Sequence, residues 1–176
     1  MNPLLNNSQD YVVELKMDVK EDTRGSFLKY FHSGQERFKV EELFLSETKP
    51  GMVRGIHLQL GKSASKRLIL NISGEIFTVF VDLRMYSPTF GQLKTFRTRD
   101  GEPRGFLVPE GVAHGYQAIT RCLVNYASSN NHDPVLDGGV NPLSLGINWP
   151  AEVSGLSNRD KNLPSLDEFI RRSKRS

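Results

Sequence analysis

Residues 75–83, EIFTVFVDL, carry apolar side chains on both faces of an extended chain. By period two, Phe77, Val79, Val81 and Leu83 share one face, and Ile76, Thr78, Phe80 and Asp82 share the other. A strand with one wet face alternates apolar and polar residues. This one does not, so both of its faces are covered. The preceding run, KRLILNI at 66–72, is equally β-rich, and Ser73-Gly74 between the two reads as a hairpin turn. Further strand-like pieces are YVVELKM, SFLKYF, VRGIHLQ, GFLVP, GYQAI and RCLVNYA. Turn signals punctuate them at Arg24-Gly25, Ser33-Gly34, Pro50-Gly51, Asp100-Gly101, Pro109-Glu110-Gly111 and Asp137-Gly138-Gly139. Many short strands at this spacing predict an all-β sandwich or barrel.

Helix signals come late. PSLDEFIRRSK (164–174) opens with Ser165 as N-cap and Glu168 three residues on, a capping box, with Leu166, Phe169 and Ile170 as its buried edge. GQERFKVEELF (34–44) reads as a short helix or an irregular loop. No repeat or low-complexity segment divides the chain. The expectation is one domain over 1–176, with a β core over about 20–164 and a helical tail at 165–176.

Composition excludes several classes. The chain of 176 residues is long enough to bury a core without disulfides or zinc. Its one cysteine, Cys122, permits neither an intramolecular disulfide nor a cysteine metal cluster. The first 25 residues lack a basic start and an apolar core, so no signal peptide is expected. No apolar run approaches a bilayer span. The net charge of +3 includes a C-terminal cluster of Arg171, Arg172, Lys174 and Arg175. There is no basic face with aromatic platforms, so nucleic acid is not an expected partner. A basic balance also suits a phosphorylated small molecule. The expected setting is the cytoplasm.

The segment GMVRGIHLQ (51–59) raises the functional question. His57 is a metal ligand, a catalytic base or a packed strand residue. Arg54, three residues earlier on a strand, leans to the opposite face unless a bulge intervenes. PEGVAH (109–114) resembles the cupin pattern Pro-x-Gly-x-x-His. A metal cupin carries His-x-His where this chain reads His57-Leu58-Gln59. His57 and His114 alone are too few for a three-ligand site, so no metal is expected.

Six motifs occur together and in order: RGSF (24–27), MVRGIHLQ (52–59), GEIFTVFVDLR..SPTFG (74–91), FLVPEGVAHGY (106–116), LGINWP (145–150) and SNRDKNLP (157–164). In this combination the chain resembles the dTDP-4-dehydrorhamnose 3,5-epimerases, nucleotide-sugar epimerases with a cupin-like jelly roll. The resemblance implies a nucleoside-diphosphate 4-keto-6-deoxyhexose as substrate and neither metal nor nicotinamide as cofactor. It implies His57 as the base beside the ketone and Asp160 as the carboxylate that orients and charges it. Tyr126 falls at the family's proposed acid, and His114 at a second histidine near the keto oxygen. Arg24, Phe27, Lys29, Arg54 and His132 fall at nucleotide or diphosphate positions. The family is homodimeric, with strands and nucleotide contacts exchanged between copies.

The same resemblance exposes departures. Arg67 stands ten residues after His57, where the family has a lysine that stabilises the enolate. Arginine can stabilise an oxyanion, typically by about 3 kcal/mol, but does not give up a proton. Thr78 replaces an aspartate that pairs with the second histidine. That loss makes a single-centre epimerase, at carbon 3 or 5, an alternative. Lys29 replaces a base-binding glutamate, Glu42 and Phe44 fall where glutamine and asparagine are usual, and His132 replaces an aromatic. An ammonium suits the unprotonated ring nitrogen of cytosine, which makes a CDP-linked sugar a further alternative. A metal-dependent cupin and a non-catalytic sugar-nucleotide binder are the competing classes.

Overall fold

The computed structural model describes residues 11–17, 19–29, 39–102 and 104–173. Twelve strands follow in chain order: β1 Val13–Lys16, β2 Val19–Asp22, β3 Gly25–Leu28, β4 Glu42–Thr48, β5 Val53–Gln59, β6 Arg67–Ser73, β7 Ile76–Asp82, β8 Leu93–Thr98, β9 Arg104–Val108, β10 Val112–Ala118, β11 Cys122–Ser128 and β12 Asp137–Gly139. Two helices follow them, α1 Asn158–Lys161 and α2 Leu166–Ser173. One sheet runs β1-β9-β6-β11-β4 and the other β12-β5-β10-β7-β8, and β2 and β3 form a separate hairpin. Every strand pair is antiparallel. This is the expected all-β, cupin-like jelly roll with a small helical C-terminus.

The two faces of β7 explain why its sequence does not alternate. Ile76 and Phe80 enter the core between the sheets. Phe77, Val79, Val81 and Leu83 belong to a second cluster on the outer face. There Leu145, Ile147 and Trp149 cover the sheet, together with Leu166 and Phe169 of α2. The helix is held by the expected capping box: Glu168 N–H donates to Ser165 Oγ at 3.1 Å, and Ser165 N–H donates to Glu168 Oε2 at 3.1 Å.

Three sequence expectations need correction. Ser73-Gly74 does not close a hairpin: β6 and β7 lie in different sheets, so the turn is a corner between them. Gly74 has φ +79°, and a Cβ there would lie 2.1 Å from the Arg121 carbonyl oxygen. Residues 42–44, the end of GQERFKVEELF, are the start of β4 and neither helix nor loop. Residues 34–38 of that segment lie outside the described residues, as do Lys174 and Arg175 of the basic cluster. Asp137-Gly138-Gly139 was expected as a turn and is β12, paired with β5.

The interior is filled unevenly. Toward β8 and β9, Phe80, Phe96 and Phe106 pack with ring centroids 4.9–5.9 Å apart. Toward β4 and β5 the sheets instead enclose an open cavity of about 960 Å³.

Candidate active site

A bulge in β5 builds one wall of the cavity. His57 pairs with His114 and Arg54 pairs with Tyr116, so three steps along β5 match two along β10. The extra residue is what puts Arg54 and His57 on one face, which plain strand geometry forbids. Gly55 and Gly115 make the bulge possible. Gly55 has φ +110°, and a Cβ there would sit 2.7 Å from Gly115 Cα and 2.8 Å from the His114 carbonyl oxygen.

His57 Nε2 lies 2.5 Å from Asp160 Oδ1. The imidazole is partly open to the cavity, and the carboxylate is 4% exposed. Asp160 sits in α1, whose N-cap Ser157 accepts the Asp160 N–H at 3.0 Å. Burial pushes the Asp160 carboxyl up, but the His57 hydrogen bond and charge, with Ser157 and the Gly55 N–H, hold it below its ordinary value. A buried carboxylate therefore stays ionised against one imidazole nitrogen and leaves the other free to take a proton.

His114 and Tyr126 face the same cavity, ring centroids 5.9 Å apart. Burial drives His114 well below its ordinary pKa, and the charges of Arg67 and His57 add to the effect. Its Nδ1 has no hydrogen-bond partner among the described residues. At neutral pH this histidine is an uncharged donor and acceptor. Burial holds Tyr126 well above its ordinary value, Tyr116 adds to this, and Arg67 opposes it. Tyr126 therefore keeps its proton.

The chain matches the family model described as dTDP-4-dehydrorhamnose 3,5-epimerase over residues 8–168. The chain belongs to the dTDP-4-dehydrorhamnose 3,5-epimerase family. It is 35% identical to a dTDP-4-dehydrorhamnose 3,5-epimerase of Methanothermobacter thermautotrophicus, over 93% of this chain and 94% of that one. It is 34% identical to a dTDP-4-dehydrorhamnose 3-epimerase of Streptomyces niveus, over 89% of this chain and 80% of that one. Among solved structures it is similar to a 4-keto-6-deoxy sugar epimerase from the novobiocin gene cluster of Streptomyces spheroides. That likeness has TM-score 0.88 and 32% identity and covers 93% of this chain and 87% of that one.

Within this epimerase fold, seven residues singled out from sequence meet at the cavity: His57, Asp160, Tyr126, His114, Arg67, Arg54 and His132. Arg54 donates through Nε to Thr48 Oγ1 (2.8 Å) and through Nη2 to the Glu47 carbonyl (3.2 Å), with donors to spare. Burial works against the charge on Arg67, while Tyr126, Glu42 and Asp137 support it. Arg24, Phe27 and Lys29 are not at the cavity. They lie exposed on the β2–β3 hairpin, where Arg24 pairs with Asp22 at 2.6 Å.

Some cavity residues escaped the sequence reading. Phe44 was noted there only as a departure, yet it stacks on Tyr126 (4.8 Å, 8°) and carries the Arg67 guanidinium 5.5 Å from its ring centroid. Asp137 and Arg159 form an ion pair at the rim, and no local motif marks them as partners. Thr78 is buried with its hydroxyl unpartnered among the described residues. Its strand partner is Tyr116, two residues from His114. Among the described residues no three His, Cys, Asp or Glu side chains gather as a metal site. No helix there is long and apolar enough to cross a membrane.

Proposed function

We propose that the chain epimerises a dTDP-linked 4-keto-6-deoxyhexose, with His57 as the base. The observation that carries this is the 2.5 Å His57–Asp160 contact in the same cavity as a protonated Tyr126. The ketone acidifies its neighbouring C–H bonds. His57 takes one such proton, and the ionised Asp160 stabilises the imidazolium that results. The charge passes to the keto oxygen as an enolate. Arg67 supplies a fixed positive charge for it, and neutral His114 supplies a hydrogen bond. Tyr126 returns a proton to the opposite face. The diphosphate is held by Arg54, whose planar fork suits phosphate oxygens.

The names of the relatives support a thymidine nucleotide and allow one or two epimerised centres. Incubation in deuterated water with dTDP- and CDP-linked substrates, read by NMR at carbons 3 and 5, checks the nucleotide, the number of centres and the epimerase reading itself. Deuterium is expected in the dTDP-linked sugar, and the number of labelled carbons gives the number of centres. Exchange confined to the CDP-linked sugar would overturn the nucleotide, and no exchange with either would overturn the epimerase reading. Tyr126→Phe is expected to keep first-step exchange while net epimerisation falls about a hundredfold. Equal losses in both would remove Tyr126 as the acid.

The reading includes a second copy of the chain. β4 is a sheet edge, with Leu43 67% and Leu45 60% exposed, and such an edge calls for cover. A homodimer supplies the cover and lets the β2–β3 hairpin carry Arg24, Phe27 and Lys29 into the partner's cavity. Arg24→Ala and His57→Ala variants, each impaired alone, are then expected to regain activity when unfolded and refolded together. A mixed dimer holds one intact site. Activity that stays at the sum of the two variants would refute the exchange.

A further inference from the structure

Arg54 lines the cavity from an exposed position on β5. An exposed arginine ordinarily samples many rotamers. Here one edge of the guanidinium is already bonded. Nε donates to Thr48 Oγ1 at 2.8 Å, and Nη2 donates to the Glu47 carbonyl at 3.2 Å. Bonds from two nitrogens fix the plane of the group, which either bond alone would let swing. Nη1 donates to nothing among the described residues, so the Nη1–Nη2 edge stays available as a fork for paired phosphate oxygens. The bond to Thr48 thus decides how that fork is presented.

Thr48 is itself held from behind. It is buried at the end of β4, in the sheet opposite β5 and β10. Its Oγ1 lies 2.7 Å from the hydroxyl of Tyr116, which is 1% exposed and is the β10 strand partner of Arg54. Tyr116 donates its own proton to Ser46 Oγ at 3.2 Å. Thr48 therefore donates to Tyr116 and accepts from Arg54. Thr48 and Tyr116 each give one proton and take one, so the chain from Arg54 to Ser46 runs in one direction. Another rotamer of Thr48 would break both of its bonds at once, and Tyr116 lies too deep for water to replace the loss. The chain crosses between the sheets where the β5 bulge sets Arg54 on the inner face.

We propose that Tyr116 is a positioning residue whose hydroxyl, through Thr48, pre-orients Arg54 for the diphosphate of the substrate. This rests on Arg54 being the diphosphate ligand. An arginine that is already ordered loses less freedom on binding, so the gain falls on affinity and not on the chemical step. The test uses Tyr116→Phe, Thr48→Val, Thr48→Ser and Arg54→Ala in the full chain. It measures kcat and KM for a dTDP-linked 4-keto-6-deoxyhexose, and the binding of dTDP and of thymidine. Tyr116→Phe and Thr48→Val approach the chain from two ends. Each is expected to raise KM and the dTDP Kd about three- to tenfold, the effect of one side chain left to be ordered on binding. The kcat should stay within about twofold of wild type, and thymidine binding should not move. Thr48→Ser keeps the hydroxyl and should restore both constants. Added to Arg54→Ala, Tyr116→Phe should cost no further dTDP affinity. Equal losses for thymidine and dTDP, or losses that multiply with Arg54→Ala, would mean that the hydroxyls only support the fold and would overturn the proposal. So would a wild-type KM in both Tyr116→Phe and Thr48→Val. If dTDP affinity survives Arg54→Ala itself, the diphosphate reading of Arg54 fails and the hydroxyls have nothing to position.

Discussion

Replacing His57 with alanine is expected to slow deuterium exchange into the sugar by about two to four orders of magnitude, the usual contribution of a positioned general base. The nucleotide should still bind, because Arg54 is held by Thr48 and the Glu47 carbonyl and not by His57. The imidazole is partly exposed, so its loss opens no closed void and the fold should survive. Asp160 is buried and ionised with no other cation within ion-pair distance among the described residues, and a carboxylate cannot reach across the missing ring to the C–H bond. Neutral His114 is no substitute, because burial and the Arg67 charge still oppose its protonation. Exchange rates measured by NMR at several enzyme concentrations check this. Near wild-type exchange in His57→Ala would show that another group takes the proton.

How much of this was legible in the sequence depends on whether the signal is local. Both faces of EIFTVFVDL are covered, as its pattern requires, because the C-terminal segment folds back over the outer sheet. The capping box at Ser165 and Glu168 is equally local and equally clear. β4 was missed because its pattern is inverted. Glu42, Phe44, Ser46 and Thr48 line the cavity, while Leu43 and Leu45 face outward. A strand that lines a binding cavity hides from a rule that looks for apolar residues inside. Ser73-Gly74 failed differently: a glycine with positive φ announces a turn but not which sheet the next strand joins. The site divides the same way. His57 and Asp160 lie in motifs matched in order along the chain, and Tyr126 followed from the resemblance those motifs carry. Their common cavity needed the β5 bulge, which only the register with β10 reveals. The Asp137–Arg159 pair spans 22 residues of sequence and has no local mark.

One matched motif does something other than chemistry, and its loss should be the costliest for stability. In VDLR..SPTFG, Asp82 is fully buried and accepts hydrogen bonds from the Arg84 N–H and guanidinium and from the hydroxyls of Ser87 and Thr89. Burial pushes its carboxyl up, yet these donors together bring it down to about 2. The carboxylate locks the loop that leads from β7 into β8. Asp82→Asn sets an amide N–H against donors and strands the guanidinium. It is expected to destabilise the fold by about 3 kcal/mol, the low end for a broken buried pair because Arg84 keeps some water. The sign of the pH dependence follows from the same shift. A carboxyl whose folded pKa is depressed contributes stability that is fully present above its unfolded value, about 4, and is lost as pH falls through the folded value near 2. Urea unfolding of wild type should therefore show a midpoint that falls between about pH 4 and pH 2. The Asp82→Asn variant should be weaker at neutral pH and lose less over that interval. A variant that tracks wild type at both ends would show that Asp82 is not the lock, and that the donors around it are satisfied without its charge.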